Sequence, residues 1–141
     1  MDDIPYAEPT LCSSCGALFS MGRWSWDEIP AETGEDTCPA CLRIADDDPA
    51  GLVELSGDFF REHREEIMNL VRNTAALELR EYPLERMMNP GAIHSTEEGI
   101  QLRTTGMHLA RRIGSALHKA YQGHLETDCQ AEQLLRVRWT R

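Results

Sequence analysis

Apolar residues along the chain change their period several times, and each change marks an element. Leu52-Val53-Glu54-Leu55 reads as a short strand. From about Phe59 to Arg80 the period lengthens. Phe60, Ile67, Leu70, Val71, Ala75 and Leu77 recur at helical spacing and form one apolar stripe. Ser56 or Asp58 can cap this helix, and Pro83 ends it. His63 falls near the stripe as an ordinary packed or half-exposed helix residue. Residues 84–94 predict an irregular strand with a turn at Asn89-Pro90-Gly91, and a second turn follows at Ser95–Gly99. Ile100-Gln101-Leu102-Arg103-Thr104 alternates with period two, a strand signal. A second helix is expected from about His108 to Gln122, with Leu109, Ile113, Ala116, Leu117 and Ala120 as its stripe. Thr104 or Thr105 is its candidate cap, and Gly123 its stop. Gly114 lies inside that helix at a cost, which points to close approach of another backbone. Residues 124–129 suggest a further strand, and Leu134-Leu135-Arg136-Val137-Arg138-Trp139-Thr140 gives a clear final one. The order is strand, helix, strand, strand, helix, strand. It predicts an α+β split βαβ (ferredoxin-like) two-layer sandwich, with both helices on one face of an antiparallel sheet.

Upstream the pattern is dominated by cysteine. Cys12-Ser-Ser-Cys15 is followed by Gly16, and Cys38-Pro39-Ala40-Cys41 comes 22 residues after Cys15. Each pair can turn tightly enough to aim two sulfurs at one ion, and Gly16 suits the positive φ of such a knuckle. Four thiolates make the closed tetrahedral set of a structural zinc site, with no open position for catalysis. A stretch of about 40 residues is too short for an ample core of its own. Structural zinc contributes roughly 10–16 kcal/mol of apparent binding energy to such modules. Between the knuckles, Leu18, Phe19, Trp24, Trp26 and Ile29 suit the short strands of a hairpin. The tryptophans either cover this small core or offer a stacking surface.

On CSSCG and CPAC, residues 8–45 resemble the zinc-ribbon and rubredoxin-like group of metal knuckles. The resemblance implies zinc (Zn2+) at Cys12, Cys15, Cys38 and Cys41. Iron in a rubredoxin-like electron carrier is the rival, although Leu42-Arg43 stands where that pattern has glycine. The knuckle joined to an α/β domain also loosely resembles ribosome-associated zinc proteins such as the NMD3-type export adaptors, a resemblance that carries over the four ligands alone. The expected organisation is a zinc ribbon over residues 1–45, an acidic Pro- and Gly-bearing linker over 46–51, and an α+β domain over 52–141.

Charge is unevenly spread. The formal total is −10. Residues 1–50 hold 11 Asp/Glu against 2 Lys/Arg, and residues 101–141 hold 3 against 7. The sign of the local patch decides which partner docks there. Alternation places Arg103, Arg136 and Arg138 on the open sheet face, and Arg111, Arg112, His118 and Lys119 group on the second helix. Such a face would meet RNA mostly through phosphate and shape, since it offers no aromatic residues for base stacking. No apolar run approaches the roughly 20 residues that span a bilayer, and the acidic N-terminus has no signal-peptide pattern. A reducing cytoplasmic location follows as an expectation, with metal-bound rather than disulfide-bonded cysteines.

No phosphate loop, nucleophile elbow or HExxH is present, and the histidines at 63, 94, 108, 118 and 124 lack ligand spacing. Cys129 stands alone as an expected buried thiol. The leading expectation is a non-enzymatic zinc-ribbon adaptor that binds RNA or a ribonucleoprotein. The alternatives are a protein–protein module whose acidic surface docks a basic partner, an iron-ribbon electron carrier, and an enzyme with its site between the modules.

Overall fold

The computed structural model describes residues 6–30, 32–88, 94–96, 98–131 and 133–141. It is a mixed α+β structure with two sheets and four helices among the described residues. The first sheet contains β1 (Thr10–Cys12), β2 (Leu18–Ser20), β3 (Arg23–Ser25) and β4 (Gly34–Asp36) in the order β3-β2-β1-β4. β2 and β3 form the hairpin expected between the two cysteine pairs. Met21 and Gly22 between them both take positive φ, 55° and 76°, the backbone that matches strand twist in a two-residue turn. Trp24 packs edge-on against Tyr6 at 4.9 Å between ring centroids, with Phe19 at 5.3 Å. It therefore serves the small core.

α1 (Pro39–Asp46) follows directly, so the second cysteine pair opens a helix rather than forming a second free knuckle. Proline at the first position costs nothing there, because its missing N–H has no partner in a helix start. The 46–51 stretch is fastened at several points. Asp47 closes α1 in the left-handed conformation, its carboxylate meets Arg103 at 2.7 Å, and Asp48 meets Arg43 at 3.2 Å. Ala50 donates to the Thr104 carbonyl at 2.9 Å.

The second sheet carries β5 (Gly51–Ser56), β6 (His94–Ser95), β7 (Gly99–Thr104), β8 (His124–Ala131) and β9 (Leu134–Thr140) in the order β6-β7-β5-β9-β8. α2 (Asp58–Glu62) and α3 (Arg64–Glu81) follow β5, and α4 (Met107–Tyr121) follows β7. The core is the expected one. Val53, Leu55, Ile100, Leu102, Leu135, Val137 and Trp139 are at most 1% exposed and meet Phe60, Ile67, Val71, Leu109, Ile113 and Leu117. Alternating burial along β5, β7 and β9 leaves the other sheet face uncovered.

The topology departs from a four-stranded split βαβ sheet. There, the strand after the second helix lies antiparallel beside the first. Here that strand, β8, goes to the edge, and β9 turns back into the gap, parallel to β5 and antiparallel to β8. Burial explains the exchange. β9 carries Leu135, Val137 and Trp139 and gains most from a central place, whereas β8 (HLETDCQA) is nearly all exposed. Charged residues are well placed on an edge, where they discourage pairing with other chains. Cys129 on β8 is correspondingly exposed, not buried.

Smaller differences have local causes. The long helix is interrupted at His63 (φ −117°, ψ 28°), where the ring stacks on Phe59 at 4.0 Å between centroids. Neither Ser56 nor Asp58 caps it; Gly57 stands at the cap position, while the Ser56 hydroxyl pairs with Thr140 at 3.1 Å across β5 and β9. Neither Thr104 nor Thr105 caps α4, because both hydroxyls are bonded to carbonyls, of Gly106 and of Leu84. Glu85 caps it from a distance, accepting from the Leu109 N–H at 2.7 Å. The Asn89-Pro90-Gly91 turn lies outside the described residues. Gly114 answers to a close approach. A Cβ there would stand 2.7 Å from Val137 and 3.1 Å from Leu125.

Candidate metal centre

β1, the turn after it and the start of α1 bring the two cysteine pairs together. Cys12 ends β1, and its carbonyl accepts from the Gly16 N–H at 2.9 Å. Gly16 takes φ +85°, as a tight knuckle requires. Ser13 donates to the Asp36 carbonyl at 3.0 Å, which locks the knuckle onto β4. Cys38 stands at the N-cap of α1 and Cys41 in its first turn.

The four sulfurs lie within 4.8 Å of one another. Cys12 and Cys41 are 3.7 Å apart, and Cys15 and Cys38 are 3.8 Å apart. A tetrahedron with metal–sulfur bonds of about 2.3 Å has edges of about 3.8 Å, so a single metal ion fits the cluster. Cys12 and Cys38 are buried, and Cys15 and Cys41 half-buried.

The surroundings favour thiolates unequally. Burial opposes ionisation of Cys12, but backbone N–H groups of Cys38, Cys15 and Ser14 outweigh it and bring that thiol down to about 6. Burial pushes the Cys38 and Cys41 thiols up. Arg86, from the loop after α3, brings a positive charge to the cluster. Its guanidinium donates to Cys15 at 3.0 Å, Cys38 at 3.3 Å and Cys41 at 3.4 Å. Burial opposes the cation, yet the sulfurs hold it protonated beyond its ordinary range.

Comparison with protein-family models, curated proteins and solved structures finds no match.

The face expected to be basic is mixed in sign. Arg103, Arg136 and Arg138 do share the open face of the second sheet, but carboxylates are interleaved with them. Arg136 meets Glu54 at 2.8 Å and Arg138 meets the same oxygen at 3.7 Å, while Arg103 meets Asp47. Strand register also sets Glu126 opposite Arg138 and Asp128 opposite Arg136. On α4, Arg112 meets Glu78 at 2.8 Å. Arg111 and Lys119 are exposed and have no ion-pair partner among the described residues. Sequence reasoning read the arginines without Glu54, which alternation places on the same face as soon as β5 and β9 are neighbours.

Two contacts between the first 45 residues and the α3 and β8–β9 regions also escaped the sequence reading. Trp26, 41% exposed, donates from its indole to the Leu79 carbonyl at 2.7 Å, and Arg43 reaches Gln133 at 3.0 Å. A cleft of about 480 Å³ is lined by Arg23, Trp24, Glu81, Tyr82, Leu84 and His108 among others. His108 within it is engaged by Glu78 at 3.1 Å.

Proposed function

We propose that the protein is a non-enzymatic binding module in which Cys12, Cys15, Cys38 and Cys41 hold one structural zinc ion, and whose acidic surface docks a basic protein partner. The observation that carries the reading is the balance of charge on the folded surface. The arginines of the open sheet face are matched by Glu54 and Asp47, whereas Glu28, Glu32, Glu35, Asp36 and Asp46 are exposed and make no ion pair among the described residues. β4, the edge strand that carries Glu35 and Asp36, is exposed throughout. A surface of one sign steers an oppositely charged partner and repels phosphate. A closed four-sulfur set can take zinc or iron, and zinc is preferred here because Leu42-Arg43 stands where the rubredoxin-like pattern has glycine.

An RNA or ribonucleoprotein partner remains the second reading. Exposed Arg111 and Lys119 on α4 support it, together with Arg138, which is only loosely paired.

Affinity purification of the tagged chain from its own cells, with and without nuclease, separates the two. The protein reading expects a basic protein retained in stoichiometric amount after nuclease and released when salt is raised several-fold above about 0.15 M. Loss of every co-purifying protein on nuclease treatment, with direct RNA binding whose log–log salt slope is near −3 for about four phosphate contacts, would replace it with the RNA reading.

A further inference from the structure

We propose that Arg86 is the outer partner of the metal centre: it offsets the charge of the metal–thiolate cluster, hydrogen-bonds three of its sulfurs, and makes metal retention depend on the α+β domain. The inference rests on the reading of the four cysteines as a metal site.

Four thiolates and a divalent ion leave two negative charges in a half-buried place, and such a cluster needs donors and a cation close by. The N-terminal residues serve two of the four sulfurs. Cys12 receives the Cys38 N–H at 3.3 Å and the backbone N–H groups of Ser14 and Cys15, and Cys38 receives the Cys41 N–H at 3.4 Å. For Cys15 and Cys41, no donor from outside the cysteine cluster other than Arg86 is found among the described residues.

Arg86 is built for this position. Its backbone N–H donates to the Thr105 hydroxyl at 2.9 Å, and its carbonyl accepts from the Thr105 N–H at 2.8 Å. Thr105 is 5% exposed, and its hydroxyl also donates to the Leu84 carbonyl at 2.6 Å. The guanidinium Nε is fixed on the Pro83 carbonyl at 2.7 Å. One side of the fork is thus spent on orientation, and the other two nitrogens face sulfur. Lysine cannot reproduce that geometry, since it presents a point charge without the planar fork.

Two consequences follow. Hydrogen bonds withdraw electron density from sulfur, so the thiolates attack electrophiles more slowly while Arg86 is in place. Metal release in turn leaves the Arg86 guanidinium without its sulfur partners, so the ion and the Arg86 side chain stabilise each other.

The test compares metal binding by the full-length wild type, Arg86→Ala, Arg86→Lys and Trp26→Phe. Trp26→Phe removes a join between the modules that touches no cysteine. Cobalt(II) is the spectroscopic probe, and metal affinity is read by competition with a chelator. The proposal expects Arg86→Ala to bind zinc roughly 10–100-fold more weakly. It also expects the sulfur-to-cobalt charge-transfer band to move to longer wavelength and iodoacetamide to release the metal faster. Arg86→Lys should recover part of the affinity but less of the band position, and Trp26→Phe should leave both unchanged. If Arg86→Ala matches the wild type in affinity and spectrum, or if Trp26→Phe reproduces its losses, Arg86 has no role at the metal. If the wild type itself binds neither zinc nor cobalt, the metal reading falls and this inference falls with it.

Discussion

At the scale of single residues, the loop 82–88 does more than its composition suggests. Glu85 and Arg86 are neighbours with opposite tasks. Glu85 turns towards α4 and accepts the Leu109 N–H, while Arg86 turns towards the cysteines. A carboxylate at a helix start meets both an unpaired donor and the positive end of the helix dipole. Glu85→Ala should therefore cost about 1 kcal/mol of stability, within the roughly 0.5–2 kcal/mol usual for a lost cap. Glu85→Gln keeps the acceptor and should cost less. Urea unfolding of the two variants measures the difference. Neither role was legible in the sequence, because both depend on partners brought close by the fold. Arg86 and Cys15 are 71 positions apart, and no local spacing connects them. The cysteines are the opposite case. Two CxxC pairs carry their own chemistry, and the sulfurs meet where the pattern said they would.

At the scale of elements, period was informative and neighbourhood was not. The strands at 51–56, 99–104 and 134–140 and the helix at 107–121 fall close to where alternation and stripes placed them. Which strand sits beside which is decided by competition for the core, and that is how β9 displaced β8. The failed caps have the same origin. Ser56 and Thr105 are good capping residues by type, but each hydroxyl has a tertiary partner instead. Gly114 was read correctly as a contact position, with side chains rather than backbone as its neighbours. Gly114→Ala sets two effects against each other. Helix propensity gains about 1 kcal/mol, while a Cβ at 2.7 Å from Val137 overpacks a layer in which Val137 is fully buried, typically at about 1–3 kcal/mol. The net expectation is a loss of stability, seen as a lower melting temperature. A rise would show that the α4–β9 packing yields more easily than its burial implies.

At the scale of the whole molecule, charge and metal are the two organising features. The charge asymmetry is plain along the chain, yet the fold redistributes its meaning. Acidic residues from β5 and the 46–51 stretch sit among the arginines of β7 and β9 and leave that face mixed in sign. No helix among the described residues is long and apolar enough to cross a membrane. In the candidate metal centre, Cys12, Cys15, Cys38 and Cys41 lie on one side and Arg86, from the loop after α3, on the other. The most direct measurement is native mass spectrometry of the purified chain, coupled to a thiol titration before and after chelation. One zinc ion per chain is predicted in a colourless sample, with exposed Cys129 the one fast-reacting thiol until the metal is stripped and the other four follow. A chain without metal whose five cysteines all react at once would contradict the metal centre, and a coloured chain carrying iron would contradict zinc.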